Sequence, residues 1–119
     1  MTNSEDAWTP CHYIDYGEEM GGPRFGVLFD DFGDTQEFLE AQDFMGGGYT
    51  WHGIVEALMR MYHAEYVDAI DYDPEGSMFC ARSSNLDALR CVAACIRKAK
   101  ADPRVLEDAI QNADPSIIE

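Results

Sequence analysis

The sequence predicts an α+β fold: one antiparallel sheet built from two β-hairpins, with helices packed on one face, in the order ββααββαα. Three observations predict it. Two short strand-like runs flank turn chemistry at residues 17–23, and two more flank Pro74-Glu75-Gly76. Each pair is followed by stretches whose apolar residues recur at helical spacing. No linker or low-complexity tract interrupts the 119 residues, so they read as one domain, 1–119, with flexible ends over 1–8 and 115–119.

The elements follow in order. Cys11 to Tyr16 and Arg24 to Asp30 read as strands joined by Gly17-Glu-Glu-Met-Gly-Gly-Pro23. Thr35 to Met45 reads as a helix capped by Asp34 or Thr35, with Phe38, Ala41 and Met45 on one face, and Gly46-Gly47-Gly48 ends it. Thr50 is placed as the N-cap of the next helix. Its stripe is Trp51, Ile54, Val55, Leu58 and Tyr62, at i, i+3, i+4, i+7 and i+11, and His52, Glu56, Arg60 and His63 take the opposite, solvent face. Ala69 to Asp73 and Ser77 to Arg82 form the second hairpin around Pro74-Glu75-Gly76. Asn85 to Ala101 is a helix with Leu86, Leu89, Val92, Ala93 and Ile96 inward, and its Lys98 and Lys100 suit the negative end of the helix dipole. Asp102-Pro103 opens a last short helix, with proline at the first helical position, and Asp114-Pro115 stops it.

The charge is strongly uneven. The formal charge is −15, and all of it sits on residues 1–75, where the basic residues are Arg24 and Arg60 alone; residues 76–119 sum to zero. Such a field speeds encounter with a basic partner and repels nucleic acid and anionic membrane. Hydrophobic residues make up 46% of the chain, enough for a packed core, so the acidity does not signal disorder. The acidic, polar start lacks the features of a signal peptide, and no run is long enough to span a membrane, so a cytoplasmic protein is expected. Cys11, Cys80, Cys91 and Cys95 then read as reduced, buried thiols.

Candidate chemical motifs fail at defined points. Asp71-Tyr-Asp73-Pro-Glu75-Gly76 has the opening of a calcium loop, but its twelfth position is Arg82 where the metal needs a bidentate Glu. His52 and His63 are too far apart on a helix to share a metal, at about 1.5 Å of rise per residue. No Cys-x2-Cys or His-x3-His pair occurs. The triple glycine lacks the Lys and Ser/Thr of a phosphate loop. No metal, no cofactor and no catalytic residue is expected. The alternatives are a small hydrolase joining a Cys or carboxylate to His12, His52 or His63, and a general acidic interaction module.

Two stretches carry a family resemblance. Gly47-Gly48-Tyr49-Thr50-Trp51-His52-Gly53 resembles the Asn-Gly-Tyr-x-Trp-Glu-Gly signature of the immunity protein 51 family of bacterial polymorphic toxin systems. Asp73-Pro74-Glu75-Gly76-Ser77-Met78-Phe79-Cys80-Ala81 resembles that family's Asp-Pro-Glu-Ala-x-Met-Phe strand opening. The resemblance spans residues 25–101. Gly47 stands for Asn, His52 for Glu and Gly76 for Ala. The resemblance implies a non-enzymatic chain that binds and blocks one cognate toxin domain. It also implies that Gly48, Tyr49, Trp51, Asp73, Pro74, Glu75 and Phe79 mark the fold. Because Trp51 starts the apolar stripe and the glycines before it permit a sharp entry, Tyr49 and Trp51 are expected to anchor the central helix on the sheet. Field sign then points to a basic toxin, such as a nuclease. The expected toxin-binding surface is Asp30, Asp31, Asp34, Glu37 and Glu40, in one loop and the adjoining helix, with Glu18 and Glu19 a separate patch. Stoichiometry and oligomeric state stay open.

Overall fold

The computed structural model describes residues 8–17 and 22–119. Most of the turn at 17–23, the Glu18 and Glu19 patch and residues 1–7 of the expected N-terminal end lie outside the described residues.

The sheet has four antiparallel strands: β1 (His12–Asp15), β2 (Phe25–Phe29), β3 (Asp71–Tyr72) and β4 (Phe79–Ser83), in the order β1-β2-β4-β3. The two hairpins therefore join through β2 and β4, with Phe25 opposite Ser83 and Phe29 opposite Phe79. Alternation along β2 and β4 sends Val27, Phe29, Phe79 and Ala81 into the core. Helices α1 (Gly33–Ala41), α2 (Gly48–Tyr62), α3 (Leu86–Ala101) and α4 (Pro103–Asn112) complete the α+β fold.

Helix α2 is central. Trp51, Ile54, Val55 and Leu58 are buried as its spacing predicts, and Met59 joins them. Trp51 meets Phe29 edge-to-face, ring centroids 4.9 Å apart. Helix α3 packs Leu89, Val92, Ala93 and Ile96 inward. Its Asn85 side chain accepts the N–H groups of Asp87 and Ala88, and Asp102 accepts that of Arg104 to cap α4 ahead of Pro103.

Several boundaries differ from expectation, each for a local reason. Helix α1 ends at Ala41, because Asp43 takes a left-handed φ of 69°. The Phe44 N–H returns to the Leu39 carbonyl and the Asp43 N–H to that of Glu40, a Schellman ending. Met45 thus lies outside the helix and is 77% exposed instead of packing on its inner face. Helix α2 starts earlier than Thr50: Gly47 is its N-cap and the Thr50 hydroxyl works elsewhere. Tyr62, expected in the buried stripe, is exposed in the last turn. Residues Ala64–Ala69 form a 3-10 helix, leaving β3 only two residues. There the Ser83 hydroxyl donates to the Ala69 carbonyl, at 2.7 Å, in place of a ladder bond. The second hairpin turns at Gly76-Ser77, between reciprocal bonds of Glu75 and Met78.

Both ends of the described chain make defined contacts. Trp8 is buried, its ring stacked on Tyr13 at 4.6 Å with the Arg90 guanidinium 5.6 Å away. Residues 115–119, expected as a flexible end, lie against α2. The Glu119 carbonyl accepts both the Thr50 hydroxyl, at 2.6 Å, and the Met45 N–H, at 3.0 Å. Ile118 covers Gly53, where a Cβ would collide with it.

Candidate functional site

The two sequence signatures meet in space. Gly47 and Gly48 open α2 directly beneath the β3–β4 turn. The Gly48 N–H donates to the Gly76 carbonyl at 3.2 Å. A helix start leaves its first N–H groups without intrahelical partners. Here the hairpin supplies an acceptor, and no side chain caps α2. The approach is close enough that a Cβ on Gly48 would strike the carbonyl oxygens of Glu75 and Met78, and one on Gly47 that of Gly76. The departures from the family pattern fit this geometry. Gly47 stands where the pattern has Asn, a strong N-cap residue, and the hairpin carbonyl instead takes the N–H of Gly48, the first helical residue. Nothing lies within 4 Å of a Cβ on Gly76, so the Ala of the pattern fits there.

Around this junction the signature residues divide. Trp51 and Phe79 are fully buried, as expected. Tyr49 is not: it is 42% exposed, so of the two expected anchors Trp51 is the one that packs in the core. Position 49 lies off the apolar stripe, which is the signal the periodicity offered. Asp73 and Glu75 are exposed and Pro74 half-buried. His52 was expected on the solvent face but is half-buried against Tyr72, the two rings tilted by 33° with centroids 4.5 Å apart. Burial lowers its pKa below the ordinary 6.5, against the opposing pull of Glu56. Burial, with the charge of Glu56, likewise pushes the Tyr72 phenol up.

The acidic cluster predicted from sequence is present as an exposed ridge. Asp30 and Asp31 lie after β2, Asp34 in the first turn of α1, and Glu37 and Glu40 follow at three-residue steps; all five are exposed. The sequence did not reveal that two of them are tied down. Lys100, from the end of α3, places its ammonium 3.0 Å from Asp31 Oδ2 and 3.2 Å from Asp34 Oδ1. It also donates to the Asp31 carbonyl at 2.8 Å and sits 5.2 Å from the Phe29 ring centroid. Its stem is buried, in the manner of a snorkelling lysine. Asp30, Glu37 and Glu40 form no ion pair among the described residues. The ridge thus keeps most of its negative charge and is fixed in place by one internal cation.

Nucleophilic chemistry finds little support in the thiols. Burial pushes Cys11 and Cys95 up to about 12 and raises Cys80 and Cys91 as well. Such thiols stay protonated at neutral pH and are poor nucleophiles. Among the described residues no three His, Cys, Asp or Glu side chains are grouped to hold a metal ion. No helix among them is long and apolar enough to cross a membrane.

The fold is an α+β scaffold with an exposed acidic ridge and a glycine-lined helix–hairpin junction. The family model of Immunity protein 51 matches residues 26–115, three quarters of the chain, and both signatures lie inside the match. The chain belongs to the Immunity protein 51 family, as its motifs indicated. Membership implies an immunity protein, one that binds a cognate toxin. No curated protein and no solved structure matches the chain.

Proposed function

We propose that this chain is a cytoplasmic, non-enzymatic immunity protein that neutralises a basic toxin domain, of the nuclease type, by stoichiometric occlusion. In this reading Asp30, Asp31, Asp34, Glu37 and Glu40 form the surface that meets the toxin. The observation that carries it is the concentration of the entire formal charge of −15 on residues 1–75, with that ridge exposed at the surface. A nuclease must hold phosphates and is basic where it does so. An acidic ridge competes for the same cleft, and charge complementarity raises the association rate and selects the partner.

The test is kinetic. The probe is the C-terminal domain of the polypeptide encoded immediately upstream of this chain's gene. Asp30, Glu37 and Glu40 are reversed to Lys together, which leaves the Lys100 clamp on Asp31 and Asp34 intact. Association should slow by about tenfold or more at low salt and lose much of its salt dependence, with dissociation little changed. Unchanged association rates at two ionic strengths would remove the ridge from the interface.

A further inference from the structure

The ridge accounts for encounter, but an interface also needs a desolvated centre that sets residence time. Beside the ridge lies a surface with that form. Tyr49 and Glu119 both line two open recesses, of about 150 Å³ and about 390 Å³. The smaller is bordered by Met45, the most exposed large hydrophobic side chain among the described residues. The larger is lined by His52 and Tyr72, whose rings meet at a tilt, and by Asp73. Neither recess has a Lys or Arg in its lining. An apolar, aromatic centre with an acidic rim is the anatomy of a protein interface, and the rim selects a cationic occupant.

The surface is continuous with the ridge. Gln36 of α1 donates to the Met45 carbonyl at 2.7 Å, and Glu40 stands one turn further along the same face of α1. It is also rigid. Tyr49 rides on the first turn of α2, whose start is held by the Gly48–Gly76 bond. The Thr50 hydroxyl accepts from the Gly46 N–H at 2.9 Å and donates to the Glu119 carbonyl at 2.6 Å, which fixes the wall on the other side. An exposed tyrosine on so fixed a backbone loses little freedom on binding.

Resting on the immunity reading, we propose that the Met45–Tyr49 surface is the centre of the toxin interface, and that it receives an arginine-bearing segment of the basic toxin domain. The guanidinium stacks on the Tyr49 ring and pairs with the carboxylate of Asp73 or Glu119, while the flanking apolar atoms cover Met45. Arginine suits the site because its planar cation both stacks on aromatic faces and pairs with carboxylates. The ridge at Asp30 to Glu40 then steers the toxin in, and the Met45–Tyr49 surface holds it.

The two roles separate by rate constant. Dissociation of the upstream-encoded C-terminal domain is followed from wild type, Tyr49→Ala, Met45→Ala and, as a control, Tyr62→Ala. Tyr62 is another exposed tyrosine of α2, about 20 Å further along the helix at 1.5 Å per residue. Tyr49→Ala should raise the dissociation rate about thirtyfold, the effect of losing an interface hot spot, with association nearly unchanged. Met45→Ala should raise it less, Tyr62→Ala not at all, and all three should keep the wild-type melting temperature. Binding by wild type with unaltered dissociation from folded Tyr49→Ala and Met45→Ala overturns this inference and leaves the immunity reading standing. Failure of wild type to bind the domain overturns both.

Discussion

Replacing Gly48 by alanine sets two physical effects against each other, and their sum has a definite sign. Helix propensity favours alanine over glycine by up to about 1 kcal/mol, and less at a first helical position. Propensity alone therefore predicts a slightly more stable protein. The junction predicts the reverse. The new Cβ would strike the carbonyl oxygens of Glu75 and Met78, which are backbone atoms and cannot rotate away. Forcing one extra carbon into a packed site costs about 1–3 kcal/mol. Parting the hairpin from α2 also stretches the 3.2 Å Gly48–Gly76 hydrogen bond, worth about 1 kcal/mol net. Set against the propensity gain, the net loss is about 1–3 kcal/mol. Unfolding entropy near 2.1 cal/mol/K per residue makes each kcal/mol worth about 4 °C in a chain of 119 residues. The melting temperature followed by circular dichroism should thus fall by about 4–12 °C. Gly76→Ala is the internal control: no atom lies within 4 Å of its Cβ, so its melting temperature should stay within about 2 °C of wild type. A Gly48→Ala protein as stable as wild type, or an equal loss from Gly76→Ala, would refute the close approach of hairpin and helix.

Trp51→Ala should cost about 3–5 kcal/mol in urea unfolding, since the indole is wholly buried against Phe29; a near-normal midpoint would place the ring at the surface. Lys100→Met should cost about 1–2 kcal/mol, a modest figure because Asp31 and Asp34 are mostly solvated, although the Lys100 side chain is largely covered. Equal urea midpoints for Lys100→Met and wild type would deny the clamp a stabilising role. His52 has a folded-state pKa lowered by burial, so the unfolded chain takes up its proton first as pH falls. Its contribution is intact above the ordinary pKa of 6.5 and is lost as pH falls below that value toward the folded one. Relative to His52→Phe, which keeps a ring on Tyr72, wild type should lose melting temperature between pH 8 and pH 5; a constant difference would show His52 to be solvated.

The parts legible in the sequence are those set by local rules. The stripe of α2, the Asn85 and Asp102 caps and the pairing of strands around Pro74-Glu75-Gly76 all follow from spacing and turn chemistry. The misread parts depend on partners distant in the chain. Lys100 reaches Asp31 across 69 residues, and nothing in either segment announces the pair. Thr50 looked like an N-cap because its hydroxyl is suited to one, but the Glu119 carbonyl 69 residues away claims it. Gly53 did carry a usable signal. A glycine inside a strong helical stripe is costly, and it marks a close approach, here by Ile118. Asp43 was invisible as a helix ending because a left-handed residue there is usually Gly or Asn. Tyr49 and Met45 became candidates only once the fold showed them exposed beside carboxylates.

The most direct test of the immunity function is a titration of toxin activity. Increasing amounts of this chain are added to a fixed amount of the upstream-encoded toxin domain, and the toxin's activity on its own substrate is followed at low and high ionic strength. Occlusion predicts that activity falls linearly and vanishes at a fixed molar ratio of chain to toxin, with inhibition setting in more slowly at high salt. Toxin activity that persists at large excess of the chain would contradict neutralisation. Complete loss at a small fraction of the toxin's concentration would contradict occlusion and mean that the chain acts by turnover.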